Sequence, residues 1–266
     1  MLTTAIIGGT GVYDPELLDN TREIGQETPY GTATVMTGTY EGKEIAFIPR
    51  HGGSHSIPPH LINYRANIMA LHMLGIKNIM ATAAVGSLHF DFKPGSYILA
   101  DQFLDFTRTR RNTFYEGGEM GVVHCDMTIP YCSRLRQAMV QGGCDQGIKV
   151  QNGGVYVCTE GPRFETAAEI AMFKQLGGHL IGMTSVPEVC LARELGMCYA
   201  NISIVTNFAA GISPGILTHS EVVDMMKQNI TGVQRVLMGS LKYILADETQ
   251  DSCDCRKILN EPGVMK

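Results

Sequence analysis

The apolar residues of this chain fall into two alternating patterns. Short continuous runs occur from residue 4 (TAII, running into a Gly-rich turn) and at 44–49, 79–84, 96–100, 154–158, 180–183 and 199–206. Such runs predict strands covered on both faces, because a half-exposed strand alternates apolar with polar residues. Between the runs, apolar residues recur at helical spacing. Ile62, Ala66, Met69, Ala70 and Met73 share one helix face ahead of Gly75, and further helices are expected over 166–176 and 187–195. The longest stripe is Val222, Met226, Ile230, Val233, Leu237, Leu241 and Ile244, which follows Thr218 and Glu221. That T-x-x-E spacing is a capping box, in which two side chains satisfy the free amides of a helix start. Strands alternating with helices predict an α/β fold around a largely buried, mixed or parallel sheet. No linker, repeat or composition shift divides the sequence, so one domain is expected over 1–266, with 247–266 as a polar C-terminal tail.

Composition narrows the function classes. Of 266 residues, 44% are hydrophobic and 18% charged, with net charge −5. Lysine and arginine read as dispersed, which argues against a nucleic-acid partner. No apolar run reaches the roughly 18 residues of a membrane span. The start, MLTTAIIGGTG, has no basic region ahead of a long apolar one, so no signal peptide is expected and a cytoplasmic location is. Eight cysteines (Cys125, Cys132, Cys144, Cys158, Cys190, Cys198, Cys253 and Cys255) include no C-x-x-C pair, so no structural zinc site is expected. Most sit in apolar surroundings and read as buried thiols. For Cys253-Asp-Cys255 two readings stand: exposed tail thiols, or a disulfide brace.

Candidate chemistry gathers where strands end, which is where α/β sheets place their ligands. Gly8-Gly9-Thr10-Gly11 follows the first strand; its glycines let backbone amides approach an anion, and Thr10 adds a hydroxyl. A plain turn is the other reading. Arg50-His51 follows the second predicted strand, and Gly52, Gly53, Ser54 and His55 after it suggest a mobile loop. An arginine there can fork onto an oxyanion or pair with a surface carboxylate. On the first reading, Arg50→Ala costs phosphate binding and leaves the fold intact. Ala83, Ala84, Val85 and Gly86 end a third strand in small residues, and Met183-Thr184 ends a fourth with a hydroxyl.

The motifs GGTG, RHG, AAVGS, TEGPRFET and MTSVPE, with the Thr206-Asn207 turn, occur in this order. From about residue 5 to about residue 245 the chain resembles the methylthioadenosine/methylthioinosine phosphorylase branch of the purine nucleoside phosphorylase family. The resemblance implies one domain with a twisted mixed sheet flanked by helices, a homotrimer, and no metal or organic cofactor, inorganic phosphate being the co-substrate. It implies that Thr10, Arg50, His51, Ala84 and Thr184 hold phosphate. Ala83, where family members often carry a hydroxyl, contributes backbone only. Met183 is implied to pack under the ribose and Phe164 against the purine face, with Ala209 and His55 also in the substrate site. His124 resembles a residue that reaches a neighbouring subunit's 5′ pocket.

Within that frame Glu165 and Asn207 carry the most information about the base. A carboxylate can accept from N1–H of hypoxanthine or guanine but meets a lone pair on adenine, and an Asn amide can hydrogen-bond N7 and O6. The adenine-preferring relatives carry a small hydroxyl residue and an Asp at these places. Glu165 as a plain helix-start carboxylate is the competing reading. His219 reads either as a group for a 5′-hydroxyl or as an exposed first-turn residue. The expected activity is therefore phosphorolysis of 6-oxopurine nucleosides, with 5′-methylthioinosine, inosine and guanosine all open. Methylthioadenosine phosphorolysis and an inactive purine-binding protein on the same fold are the alternatives.

Overall fold

Continuous apolar strands require cover on both faces, and this computed structural model, which describes residues 2–9, 12, 17–52, 56–214, 218–247 and 252–265, supplies it. The strands are β1 (Thr4–Gly8), β2 (Asp19–Thr28), β3 (Gly31–Tyr40), β4 (Lys43–Pro49), β5 (Asn78–Ser87) and β6 (Tyr97–Leu99). They continue with β7 (Gln102–Phe106), β8 (Val150–Asn152), β9 (Val155–Thr159), β10 (Leu180–Gly182) and β11 (Cys198–Phe208). The helices are α1 (Tyr64–Met73), α2 (Ser133–Asp145), α3 (Ala167–Gln175), α4 (Ser185–Glu194) and α5 (His219–Leu245).

One mixed sheet joins all the described strands in the order β2-β3-β4-β1-β5-β10-β9-β7, with β11 pairing β5 and β6, and β6 pairing β8. Strands β4, β1, β5 and β11 run parallel, so their carboxyl ends lie on one side. Strand β10 runs back along the end of β5, with Leu180 opposite Ser87 and Ile181 opposite Gly86. That reversal carries Met183 and Thr184 towards Ala84.

Alternation along each strand divides the core. Ala5 and Ile7 of β1 enter a cluster with Ile68 and Leu71 of α1 and Val189 of α4. Ile6, between them, enters the opposite cluster with Leu135 and Met139 of α2 and Val233 and Leu237 of α5. Successive strand side chains point to opposite faces, so one apolar run feeds both layers. Among the described residues no helix is long and apolar enough to cross a membrane.

The seven expected strands and the expected helices are present with small shifts of boundary. Both halves of the Thr218/Glu221 capping box form at α5. Strands β2, β3, β7 and β8 and helix α2 are additions. Helix α2 contains Gly142 and Gly143, which weaken a helical pattern, but a Cβ on Gly142 would stand 2.5 Å from Ser240 Oγ of α5. The glycine permits close approach of two helices at the cost of local propensity. The C-terminal segment also departs from a plain polar tail: Cys255, Ile258 and Val264 are buried, the last two in the main cluster.

Candidate active site

A cavity of about 540 Å³ opens at the carboxyl ends of β1, β4, β5 and β11. Arg50, His51, Ala83, Ala84, Phe164, Glu165, Met183, Thr184, Asn207 and Ala209 all line it. Its size falls within the range of about 300–1,000 Å³ usual for small-molecule sites. Thr10 and His55 lie outside the described residues, as does the side chain of His219. Val222 and Met226, from the first turns of α5, line the cavity as an apolar patch. His124 is exposed and lines a different cavity, beside Cys132, Cys253 and Cys255.

The anion end is built differently from a simple basic pocket. Arg50 is 2% exposed and Glu188 of α4 is 0% exposed. The guanidinium grips the carboxylate with Nε on Oε1 at 2.5 Å and Nη2 on Oε2 at 2.9 Å, while Nη1 donates to the Thr82 carbonyl at 2.7 Å. Tyr199 donates to Glu188 Oε2 at 2.8 Å. Burial opposes the charge on Arg50, but Glu188 outweighs it and the arginine pKa is raised. The carboxylate partner of Arg50 is thus buried rather than on the surface. The expectation that removing Arg50 spares the fold is corrected accordingly, since Glu188 would be left as a buried, unpaired charge. Among the described residues, three of the five guanidinium N–H groups are committed. The Gly9 amide lines the cavity but donates to Thr82 Oγ1 at 3.2 Å, so that N–H serves the strand end. His51 Nδ1 stands 2.8 Å from the Ile57 carbonyl; a carbonyl only accepts, so that nitrogen carries the proton. Thr184 sits at the N-cap of α4, and its side chain caps nothing in that helix.

At the base end, the reading of Glu165 as a helix-start carboxylate loses its ground. The start of α3 is served by Thr166 and Glu169, which form a complete capping box. Glu165 instead accepts from Thr159 Oγ1 at 2.5 Å on the cavity wall. Burial raises its pKa, with the Thr159 hydroxyl acting against that rise.

Asn207 owes its position to an irregularity. The β11–β5 register shifts between Val205 and Asn207, so Thr206 is an extra residue in β11. Bulges of this kind re-aim side chains near sites. The Thr206 hydroxyl donates to Asn207 Oδ1 at 2.7 Å, and Asn207 Nδ2 donates to the Phe208 carbonyl at 2.9 Å. A primary amide has two donors and two acceptor positions, so one of each is left over. Gly86 makes room for it: a Cβ there would lie 3.2 Å from Asn207 Nδ2 and 3.0 Å from Ile181 Cγ2. Gly86→Ala is therefore expected to displace the amide by a few tenths of an ångström. It should lower kcat about tenfold, given that 1 Å of misplacement costs on the order of 10²-fold. Steady-state kinetics beside a melting curve test this, and an unchanged kcat would show that the rate does not depend on where the amide sits.

Sequence reasoning missed two organising residues. Glu188 stands inside the quoted MTSVPE motif without an assigned role. Arg110 donates to the carbonyls of Met183 (2.6 Å), Val186 (2.7 Å), Thr159 (3.1 Å) and Glu160 (2.8 Å), tying the ends of β9 and β10 together. Its guanidinium also lies 5.3 Å from the Tyr64 ring centre. Arg108, Arg110 and Arg111 do stand close together, and that local run was the available signal.

The chain is similar to known proteins over nearly its whole length. A Moorella thermoacetica protein named "Probable 6-oxopurine nucleoside phosphorylase" is 55% identical over 251 residues, covering 94% of this chain and 95% of that one. The "6-oxopurine nucleoside phosphorylase" of Pyrococcus furiosus is 47% identical over 260 residues, covering 96% and 97%. The structure of methylthioadenosine phosphorylase from Schistosoma mansoni in complex with adenine matches with a TM-score of 0.90 at 34% identity, covering 97% of each chain. These likenesses bear out the resemblance drawn from the motifs. The phosphorylase superfamily model matches residues 3–242, and the chain belongs to that family.

Proposed function

We propose that the protein is a pentosyltransferase that cleaves 6-oxopurine nucleosides, inosine and guanosine first, with inorganic phosphate as the attacking group. One observation carries this reading: the Glu165 carboxylate and the half-used Asn207 amide line the same cavity as Arg50 and Thr184. Hypoxanthine and guanine offer N1–H to the carboxylate. Their O6 and N7 are both acceptors, and the one N–H left on Asn207 can donate to either.

In the reaction, a phosphate oxygen forms a bond to C1′ as the C1′–N9 bond breaks and its electron pair passes into the purine. Positive charge grows on the ribose and negative charge on the base. Asn207 stabilises the base by donating its remaining N–H to O6 or N7, where the negative charge gathers, and the departing purine anion takes its proton from solvent; losing one such donor typically costs about 10²–10³ in rate. Glu188 answers the charge of Arg50, so the arginine orients phosphate through its remaining N–H groups without neutralising it. Phosphate keeps its negative charge for the ribose cation. Phosphate already carries the nucleophilic oxygen, so no separate base is required, and no metal or organic cofactor takes part.

The Moorella and Pyrococcus relatives carry 6-oxopurine names, which supports this choice. A second reading, a 5′-methylthio substrate, is favoured by the apolar patch of Val222 and Met226 and by the name of the Schistosoma protein. The active form is proposed to be a trimer in which His124 reaches a neighbour's pocket. The deciding experiment is a panel of inosine, guanosine, methylthioinosine, adenosine and methylthioadenosine, each with and without phosphate. A site built to pair polar groups rejects a mispaired analogue by as much as about 10⁴–10⁵. The 6-oxo substrates should therefore lead by orders of magnitude, and only when phosphate is present. Equal turnover of adenosine and inosine, or base release without phosphate, would end the proposal.

A further inference from the structure

Cys132, Cys198, Cys253 and Cys255 come from three distant stretches of chain, yet their sulfurs all lie within 4.8 Å of one another. Cys132 stands at the start of α2, Cys198 is the first residue of β11, and the other two belong to the C-terminal segment. We propose that these four thiols bind one tetrahedral, thiophilic divalent cation, zinc, which staples the C-terminal segment to the sheet. The spacing suits this coordination. Zn–S bonds of about 2.3 Å in a tetrahedron put the sulfurs about 3.8 Å apart, and Cys132 and Cys253 Sγ are 3.7 Å apart. A disulfide requires about 2.0 Å and joins sulfurs in pairs, whereas here each sulfur has three near neighbours.

The surroundings fit a site with excess negative charge. Four thiols that release their protons to solvent around a divalent cation leave a net charge of −2. Arg134 lies against Cys198, and its charge also acts on Cys132. It is held there by Asp247 at 3.0 Å and by Asn78. Cys132 is the N-cap of the 13-residue α2 and makes no side-chain capping bond, so the helix amides favour a thiolate there. A cavity of about 600 Å³ bordered by Cys132, Cys253 and Cys255 gives a route in from solvent. Within one chain the site is remote from that chain's own chemistry. Cys198 and Asn207 lie at opposite ends of β11, about 30 Å apart at roughly 3.3 Å per residue, so the ion acts on the architecture of its own subunit. No C-x-x-C spacing announces the group, because only C-x-C is local and the other two ligands arrive through the fold.

The test uses the full chain purified anaerobically with reductant. Elemental analysis should find one zinc per chain. The zinc-free reduced protein, titrated with Co²⁺, should show thiolate-to-cobalt charge transfer and tetrahedral ligand-field bands that saturate at one equivalent and vanish when Zn²⁺ is added. Zn²⁺ should raise Tm, and Cys255→Ser should lose both the cobalt spectrum and the Tm shift while still cleaving nucleoside below its own Tm. Should that variant not fold, the wild-type titration decides alone. Reduced wild type that takes up neither metal overturns the proposal. So does protein whose thiols, trapped before contact with air, prove to be two disulfides.

Discussion

Arg50→Ala lowers the stability of the fold by about 3–5 kcal/mol and abolishes phosphate-dependent turnover, and the two losses have separate causes. The stability loss comes from Glu188, which is 0% exposed and, among the described residues, keeps only the Tyr199 hydroxyl once the guanidinium is gone. Breaking a buried ion pair from one side costs about this much because a desolvated charge is left behind. Replacing both partners with apolar groups of similar volume is often neutral. Arg50→Met combined with Glu188→Leu should therefore recover most of the lost stability while phosphorolysis stays absent. Thermal unfolding and the dependence of rate on phosphate, measured on wild type, the single and the double variant, separate the two roles. A single variant as stable as wild type would contradict the burial argument. A double variant with an ordinary phosphate KM would show that Arg50 does not touch phosphate.

How much could be read in advance follows from what each residue does locally. Strands β1, β4, β5 and β11 were legible because cover on both faces makes them continuously apolar, and α5 because its stripe and capping box are local patterns. Strand β2 (DNTREIGQET) is nearly all solvent-exposed, so nothing in its polarity marks it as paired; its register comes from β3. The cavity residues at strand ends were legible because small side chains and hydroxyls are unusual after apolar runs. Glu188 and Arg110 were not, since their roles consist of partners far away in the chain. Glu188 meets Arg50 across 138 positions, and Arg110 meets Met183 across 73. The cysteine tetrad was hidden for the same reason.

Asn207→Asp together with Glu165→Ser should shift preference from 6-oxo to 6-amino substrates, and the structure indicates how the single changes will fall short. In Asn207→Asp the Thr206 hydroxyl can still donate to one carboxyl oxygen. The other then faces the Phe208 carbonyl, to which Asn207 Nδ2 donates at 2.9 Å, so two acceptors meet unless the acid is protonated. Its single proton must serve either that carbonyl or purine N7, which lowers the rate for every substrate. The informative quantity is therefore the ratio of kcat/KM for methylthioadenosine to that for methylthioinosine. Glu165 still opposes the adenine N1 lone pair in that variant. Glu165→Ser removes the opposition and leaves Thr159 Oγ1 with the Gly182 carbonyl at 3.5 Å as its remaining acceptor. Two mispaired polar groups at about 1–3 kcal/mol each imply that the double variant moves the ratio by about 10²–10⁴. Both residues contact one ligand, so their effects should couple by about 0.5–3 kcal/mol instead of adding. A wild type that already prefers methylthioadenosine, or a ratio that neither change moves, would remove Glu165 and Asn207 from base recognition.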